Sequence, residues 1–145
     1  FEIVPGISSL TAVPAAAGIP ITDREWGRSV GAFSLHRKEG RPPEPSDWER
    51  MAQGPETLVL FMGRSLLALA CEELQRYGRP ADQPAALIVR GTLPDQRVVT
   101  ATLATLPQAA RDLPEGPGLI VIGDVVRIRE DLTTAVSQED APCPA

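Results

Sequence analysis

Short apolar runs alternate with amphipathic stretches along the chain, and each pattern predicts one kind of element. Apolar runs bounded by glycine are typical of buried strands, and alternation of apolar and polar residues is typical of a half-exposed strand. Such patterns predict strands at 1–4, 28–34, 57–62, 85–89, 96–103 and 119–122. The strand pattern also continues past Gly123, through residues 125–128.

Helical spacing of apolar residues fills the gaps between these strands. It predicts helices at 8–17, 46–53, 65–74 and 108–113, and a loop at 36–45. Ser8 or Ser9 is expected to cap the first helix, Ser46 and Glu49 to form a capping box on the second, and Ser65 to cap the third. The order of elements predicts an α/β fold, with a mixed open sheet of about five strands flanked by helices.

The opening stretch suggests a ligand site. A strand that ends at Gly6 would lead into a helix N-terminus, where free N–H groups attract a polar ligand. Two later predicted strands also end on a glycine, Gly63 and Gly91, and ligands of open α/β sheets bind outside the carboxyl ends of strands. Alternatively, each glycine only makes a turn or caps the next helix. The pattern alone does not decide between these readings.

Composition narrows the class of protein. The 145 residues are 43% apolar and 23% charged, which is ordinary for a globular domain. A net charge of −5 argues against general nucleic-acid binding. No apolar run approaches the roughly 20 residues that span a bilayer, so we expect neither nucleic acid nor a membrane as a partner. The distant Cys71 and Cys143 make no metal-binding spacing, which favours a reducing, cytoplasmic setting. Cys71 is expected in the core, and Cys143 in a disordered tail at 133–145.

Several motifs occur in a familiar order. VPGISS and AGIPITDR stand near the start, TLVLFMGRS and GRPADQPAALIVRGTLPDQRVVTATL in the middle, and LIVIGDVVRIRE near the end. Over about residues 1–131 the chain resembles the C-terminal half of the tetrapyrrole methylases. Within that family it is most similar to the uroporphyrinogen-III C-methyltransferases.

The resemblance implies two α/β domains with a cleft between them, and a homodimer. S-adenosylmethionine would bind folded in that cleft and donate its sulfonium methyl to a ring carbon of a reduced tetrapyrrole. By their positions in the motifs, Ser8, Ser9, Met62 and Gly91 are implied as cofactor contacts. Judged by residue type alone, Met62 is more often a core methionine.

The resemblance also implies substrate contacts. Arg24, the last residue of AGIPITDR, and His36 stand where the family places substrate-facing residues, and uroporphyrinogen is a polycarboxylate that a guanidinium can hold. Without the motif, Arg24 would be an ordinary surface arginine. The basic residues around 36–41 either receive a polyanion or form a solvated loop. The glycine that the family has before this histidine is Leu35 here.

The family's N-terminal methylase domain, with its Gly-Gly-Asp-Pro cofactor loop and acid-base groups, has no counterpart in this sequence. We therefore expect residues 1–132 to be the C-terminal domain of a larger C-methyltransferase, inactive alone, and we assign no catalytic residue and no metal ligand. Two alternatives stay open. The chain could serve another porphyrin- or corrin-ring methyltransferase, or it could be a stand-alone, non-enzymatic module that dimerises or binds ligand.

Overall fold

The computed structural model describes residues 1–139. Its strands form one sheet in the order β1-β2-β5-β3-β4. β1 and β2 are parallel, and every other neighbouring pair is antiparallel. The predicted mixed open sheet of five strands is thus confirmed. The strands are β1 Val30–Ser34, β2 Thr57–Phe61, β3 Pro84–Val89, β4 Arg97–Thr102 and β5 Gly118–Ile122.

The strand directions make the two ends of the strands, and so the two corresponding edges of the sheet, different. β5 lies between β2 and β3 and is antiparallel to both, so β1, β2 and β3 all run in the same direction. Their last residues, Ser34, Phe61 and Val89, lie along one edge, together with the first residues of β4 and β5. We call this the C-terminal edge. The opposite edge holds the starts of β1, β2 and β3.

Helices cover both faces of the sheet. The helices are α1 Ser9–Ala16, α2 Pro45–Gln53, α3 Leu67–Arg76, α4 Leu106–Ala109 and α5 Ile128–Glu139. On one face, Leu58 and Leu60 of β2 share a core with residues of α2, α3 and α4. On the other face, Val59 shares a second core with Ala17 and Ile19, just after α1, and with the turn after β5. Alternate residues of one strand therefore serve opposite cores, as the pleat requires.

The helix starts agree with the sequence in one case and differ in two. Ser8 caps α1, and its Oγ accepts a hydrogen bond of 3.2 Å from the backbone N–H of Leu10. The capping box of α2 consists of Glu44 and Asp47, not the predicted Ser46 and Glu49, because Pro45 already occupies the first helical turn. Ser65 does not cap α3, because a 3₁₀ turn at 64–66 precedes that helix.

Two predicted strands are wrong. Residues 1–4 belong to no strand, and the side chains of Phe1, Ile3 and Val4 are exposed, because none of the five strands pairs with this segment. Residues 125–128 form a 3₁₀ turn and the start of α5. Gly123, with φ of 146°, turns the chain out of the sheet there. An apolar run of this length does not distinguish a buried strand from a buried turn.

Part of the predicted tail belongs to the last described helix. α5 extends through Glu139, so the first seven residues of the segment 133–145 are helical in the structure, and the tail as a whole stays a prediction. Residues 140–145, which include Cys143, lie outside the described residues. Within residues 1–139, no helix is both long and apolar enough to span a bilayer.

Candidate functional site

A cleft of about 650 Å³ opens at the C-terminal edge of the sheet. α1 forms one wall, the ends of β2 and β3 form the floor, and the start of β5 completes it. The side chains and main chain that line it belong to Ile7, Ser9, Ala12, Val13, Phe61, Met62, Ile88, Gly91, Thr92, Pro117, Gly118 and Leu119. This position, outside the carboxyl ends of parallel strands, is where ligands of open α/β sheets bind.

Strained backbone gathers at this same edge. Met62, Arg90 and Thr92 have φ of 52°, 53° and 68°, in the left-handed region that side chains other than glycine seldom adopt. Within residues 1–139 only one other such residue occurs, Glu39. Each such residue costs on the order of 1–3 kcal/mol, and strain of this kind concentrates at functional sites. The backbone therefore points to the same cleft as the topology does.

The three glycines that end predicted strands have different roles. A Cβ on Gly91 would lie 2.5 Å from Cγ1 of Val13, so this glycine lets α1 pack directly against the chain after β3. A Cβ on Gly63 would lie 2.7 Å from Cδ1 of Ile120, inside the core. Gly6 has open space around it. Gly91 is thus needed for the shape of the cleft, whereas Gly63 serves core packing.

Side chains hold the turn at residues 90–96 in place, and the sequence did not single them out. The guanidinium Nε of Arg90 lies 2.6 Å from a carboxylate oxygen of Asp95, and this partner holds the pKa of Asp95 below its ordinary value. The Thr92 N–H donates to Oε1 of Gln96 at 2.7 Å. Gln96 also donates to the carbonyl oxygen of Ala16 in α1, at 3.1 Å. Their one signal in the sequence is their place in the stretch RGTLPDQR of the third motif.

The structure brings together three of the four predicted cofactor residues. Ser9, Met62 and Gly91 all line the cleft. Met62 is 58% exposed, so the alternative of a core methionine is wrong. Ser8 is engaged as the cap of α1 and does not appear among the described residues that line the cleft. Its role as a cofactor contact stays a prediction.

His36 lies beside the cleft. It lines a depression that shares Met62, Pro117 and Gly118 with the cleft, so the two openings adjoin. Arg64 lines the same depression and donates to the carbonyl oxygen of Leu113 at 2.8 Å, which anchors the chain before β5. His36 is therefore placed where a ligand larger than the cleft would extend.

Arg24 lies elsewhere. It sits near the tip of a short hairpin in which Asp23 and Gly27 exchange backbone hydrogen bonds of 2.7 and 3.2 Å. The Asp23 carboxylate accepts from the backbone N–H groups of Glu25 at 2.8 Å and Trp26 at 3.1 Å, and these bonds lower its pKa. Asp23 is committed to forming the turn, which makes it a poor candidate for a general base.

The hairpin is attached to the opposite edge of the sheet. The backbone N–H groups of Arg28 and Ser29 donate to the Glu56 carboxylate at 2.6 and 3.1 Å, just before the start of β2. Arg24 and Arg28 share a shallow depression with Thr22 and Asp23, and none of these residues lines the cleft. The structure thus does not bring Arg24 to the cleft, and its role as a substrate clamp stays a prediction.

Two further buried groups serve the fold. Arg79 is only 7% exposed and donates to the carbonyl oxygens of Met51 and Glu56, each at 3.1 Å, and to that of Pro55. Burial lowers its pKa. Cys71 is buried, which confirms its predicted place in the core, and burial raises the pKa of its thiol to about 11. No group of three or more potential metal ligands occurs within the described part of the chain.

Comparisons with known proteins identify the family of the chain. The family model for Tetrapyrrole (Corrin/Porphyrin) Methylases matches residues 1–107. A siroheme synthase of Thiobacillus denitrificans is 44% identical over 133 residues, which are 91% of this chain and 27% of that protein. A siroheme synthase of Neisseria meningitidis serogroup C is also 44% identical, over 132 residues. The chain spans about a quarter of the length of these curated relatives.

Solved structures give the same result for the fold. Uroporphyrin-III C-methyl transferase from Thermus thermophilus, complexed with S-adenyl homocysteine, is 31% identical with a TM-score of 0.74, over 88% of this chain and 54% of that one. A cobalt precorrin-4 methyltransferase is 25% identical with a TM-score of 0.73, over 86% of this chain and 52% of that one. Family match, sequence identity and fold agree: the chain belongs to the tetrapyrrole (corrin/porphyrin) methylases.

Proposed function

We propose that residues 1–132 are the C-terminal domain of an S-adenosylmethionine-dependent C-methyltransferase that acts on uroporphyrinogen III. The observation that carries this proposal is the convergence of Ser9, Met62 and Gly91 on one cleft at the C-terminal edge. The product, a methylated precorrin, would enter sirohaem or cobalamin synthesis in the cytoplasm. The names of similar proteins support this assignment.

The cleft suits the cofactor in size and chemistry. Its volume of about 650 Å³ lies within the range of small-molecule sites. The apolar side chains of Val13 and Ile88 could pack against a nucleoside base. The exposed Met62 offers a polarisable thioether, and Ser9 offers a hydroxyl for hydrogen bonding. When bound, S-adenosylmethionine supplies an electrophilic methyl on a sulfonium. The chain's own part would be to bind and orient it and to exclude water from one side.

The tetrapyrrole would lie across the mouth of the cleft, toward His36. The depression around that residue adjoins the cleft, which would give the larger ring somewhere to extend. A role for Arg24 in holding a carboxylate has less support, because this residue lies at the opposite edge of the sheet.

Further contacts would come from a second domain. The chain spans about half of the solved methyltransferases that it resembles, and the cleft is open on one side. We infer that an N-terminal methylase domain closes the cleft, supplies the catalytic groups, and makes this chain inactive alone. The whole enzyme would be a homodimer. A corrin-ring methyltransferase is the second candidate, because the cobalt precorrin-4 enzyme fits the fold almost equally well.

A steric block of the cleft tests the proposal in the full-length protein that includes this chain. Ala12 of α1 lines the cleft, whereas Ala15 on the same helix is exposed and does not. Ala12→Phe should reduce S-adenosylmethionine affinity, measured by calorimetric titration, by roughly a hundredfold because the ring occupies the site. Ala15→Phe is the matched control and should bind normally.

A methyl-transfer assay with labelled cofactor identifies the substrate. Uroporphyrinogen III should accept the labelled methyl in the wild-type protein and in the Ala15→Phe control, but not in Ala12→Phe. Equal cofactor affinity in the two variants would rule out this cleft as the cofactor site. Transfer to a corrin precursor but not to uroporphyrinogen III would favour the second candidate.

A further inference from the structure

One side chain joins the two walls of the cleft. The carboxamide of Gln96 accepts from the Thr92 N–H at 2.7 Å and donates to the Ala16 carbonyl at 3.1 Å. Thr92 belongs to the wall formed by the turn after β3, and Ala16 ends α1, which forms the other wall. A carboxamide accepts at its oxygen and donates from its nitrogen, so glutamine suits both partners.

The two hydrogen bonds of Gln96, which we call the bridge, lie beside the strained turn at residues 90–92. Arg90 and Thr92, on either side of Gly91, have left-handed φ, so the turn needs outside support to keep that conformation. The ion pair of Arg90 with Asp95 supports it from within. Gln96 alone among these contacts reaches across to α1 by a hydrogen bond, close to where Gly91 packs against Val13.

We propose that Gln96 is a positioning residue, which fixes α1 against the 90–92 turn and thereby sets the affinity of the cleft for the cofactor. This inference rests on the proposed function. Without the bridge, α1 and the turn would move independently, and the cofactor would have to order both walls as it binds. Gln96 does not line the cleft among the described residues, so its effect would be indirect.

The binding test uses the full-length protein and S-adenosylmethionine. Gln96→Met keeps the length of the side chain and removes both hydrogen bonds, and should raise the cofactor Kd about tenfold. Because the residue does not touch the reacting atoms, kcat at saturating cofactor should change by no more than about twofold. Gln96→Lys keeps a donor for the Ala16 carbonyl and should lose less affinity than Gln96→Met does. Gln96→Glu keeps the acceptor for Thr92 but places a carboxylate against the Ala16 carbonyl oxygen at the end of α1, so it should bind more weakly than wild type.

Hydrogen exchange on the cofactor-free protein tests the bridge itself. In Gln96→Met, the Thr92 amide and the amides of α1 should exchange faster, while the amides of β2 and β5 keep wild-type rates. A merely destabilising change would accelerate exchange throughout the domain. Gln108→Met is the matched control, because Gln108 is an exposed glutamine of α4, outside the cleft, and this variant should match wild type in both tests.

The possible failures are distinguishable. If wild type binds the cofactor and Gln96→Met binds it equally well, the positioning role is overturned and the proposed function stands. Uniformly faster exchange in Gln96→Met would also overturn it. If Gln96→Met does not fold, the Glu and Lys variants still decide, because wild-type affinity in both would contradict the proposal. If the wild-type protein does not bind the cofactor, the proposed function fails and this inference fails with it.

Discussion

The two faces of the sheet differ in how completely they are covered. In the described chain, seventeen buried residues make up the core beneath α2, α3 and α4, and these are mostly large aliphatic side chains. Nine residues make up the core on the other face, several of them alanine or valine. There α1 packs closely enough to require Gly91, and the cleft opens beside it.

This difference suggests a division of labour. Large side chains buried in a closed layer contribute most of the hydrophobic stabilisation, so the first face should carry the stability of the domain. Small side chains and a glycine allow a helix to approach the sheet, and strained turns form the remaining surface, so the second face should carry ligand binding. Substitutions on the two faces should then separate unfolding free energy from cofactor affinity.

The largest expected effect is on the closed face. Leu74 of α3 is fully buried. Leu74→Ala leaves a cavity and should lower the free energy of unfolding of the 145-residue chain by about 2–5 kcal/mol, measured by urea denaturation. Leu132→Ala, at a half-exposed leucine of α5, is the control and should cost far less. In the full-length protein, the folded Leu74→Ala fraction should bind cofactor as wild type does. A matching loss of affinity would contradict the division of labour.

A smaller stability effect with a larger binding effect is expected on the open face. Gly91→Ala places a Cβ 2.5 Å from Val13, and relieving that clash requires α1 to move outward. The cost in unfolding free energy should be about 1–3 kcal/mol, and cofactor affinity measured by calorimetry should fall by more than this loss of stability explains. Adding Val13→Ala to the Gly91→Ala variant should restore part of the lost stability and part of the lost cofactor affinity. Gly6→Ala, at a glycine with open space, should change neither.

The smallest effect is expected at the opposite edge, where Glu56 attaches the hairpin of Arg24. The backbone N–H of Arg28 donates to the Glu56 carboxylate and is the main reason why the pKa of Glu56 lies below its ordinary value of 4.5. The hydrogen bonds from Ser29 lower it further. The stability that these bonds contribute is present above that ordinary value and is lost as the pH falls through the lower pKa of the folded state. In urea unfolding between pH 6 and 3, Glu56→Gln should lose less stability on acidification than wild type. Parallel pH profiles would contradict this.

The sequence predicted elements well where the pattern was long, and poorly where tertiary contacts decide. The strands at 57–62, 85–89 and 119–122 were predicted because runs buried on both faces are apolar throughout. Residues 1–4 have the same local pattern, yet no strand pairs with them in the described chain. Residues 125–128 leave the sheet because of the backbone at Gly123, which a hydrophobicity pattern does not reveal.

In the candidate site, too, local motifs predicted some residues, and tertiary contacts decide the others. Ser9, Met62 and Gly91 could be named from motifs, because the motifs cover the start of α1 and the turns after β2 and β3 on which these residues lie. Gln96 could not be singled out, because its hydrogen-bond partner in α1 is 80 residues away in sequence. The distance of Arg24 from the cleft depends on which end of β1 its hairpin joins, and that is known only once the strands are paired.

The place of β5 has a consequence for how the chain can fold. β1 pairs with β2 and β3 with β4, but these two pairs meet only through β5, the last of the five described strands along the chain. Until residues 118–122 have been synthesised, these two strand pairs have no strand to join them. The sheet should therefore assemble after translation of this domain, in one late and cooperative step.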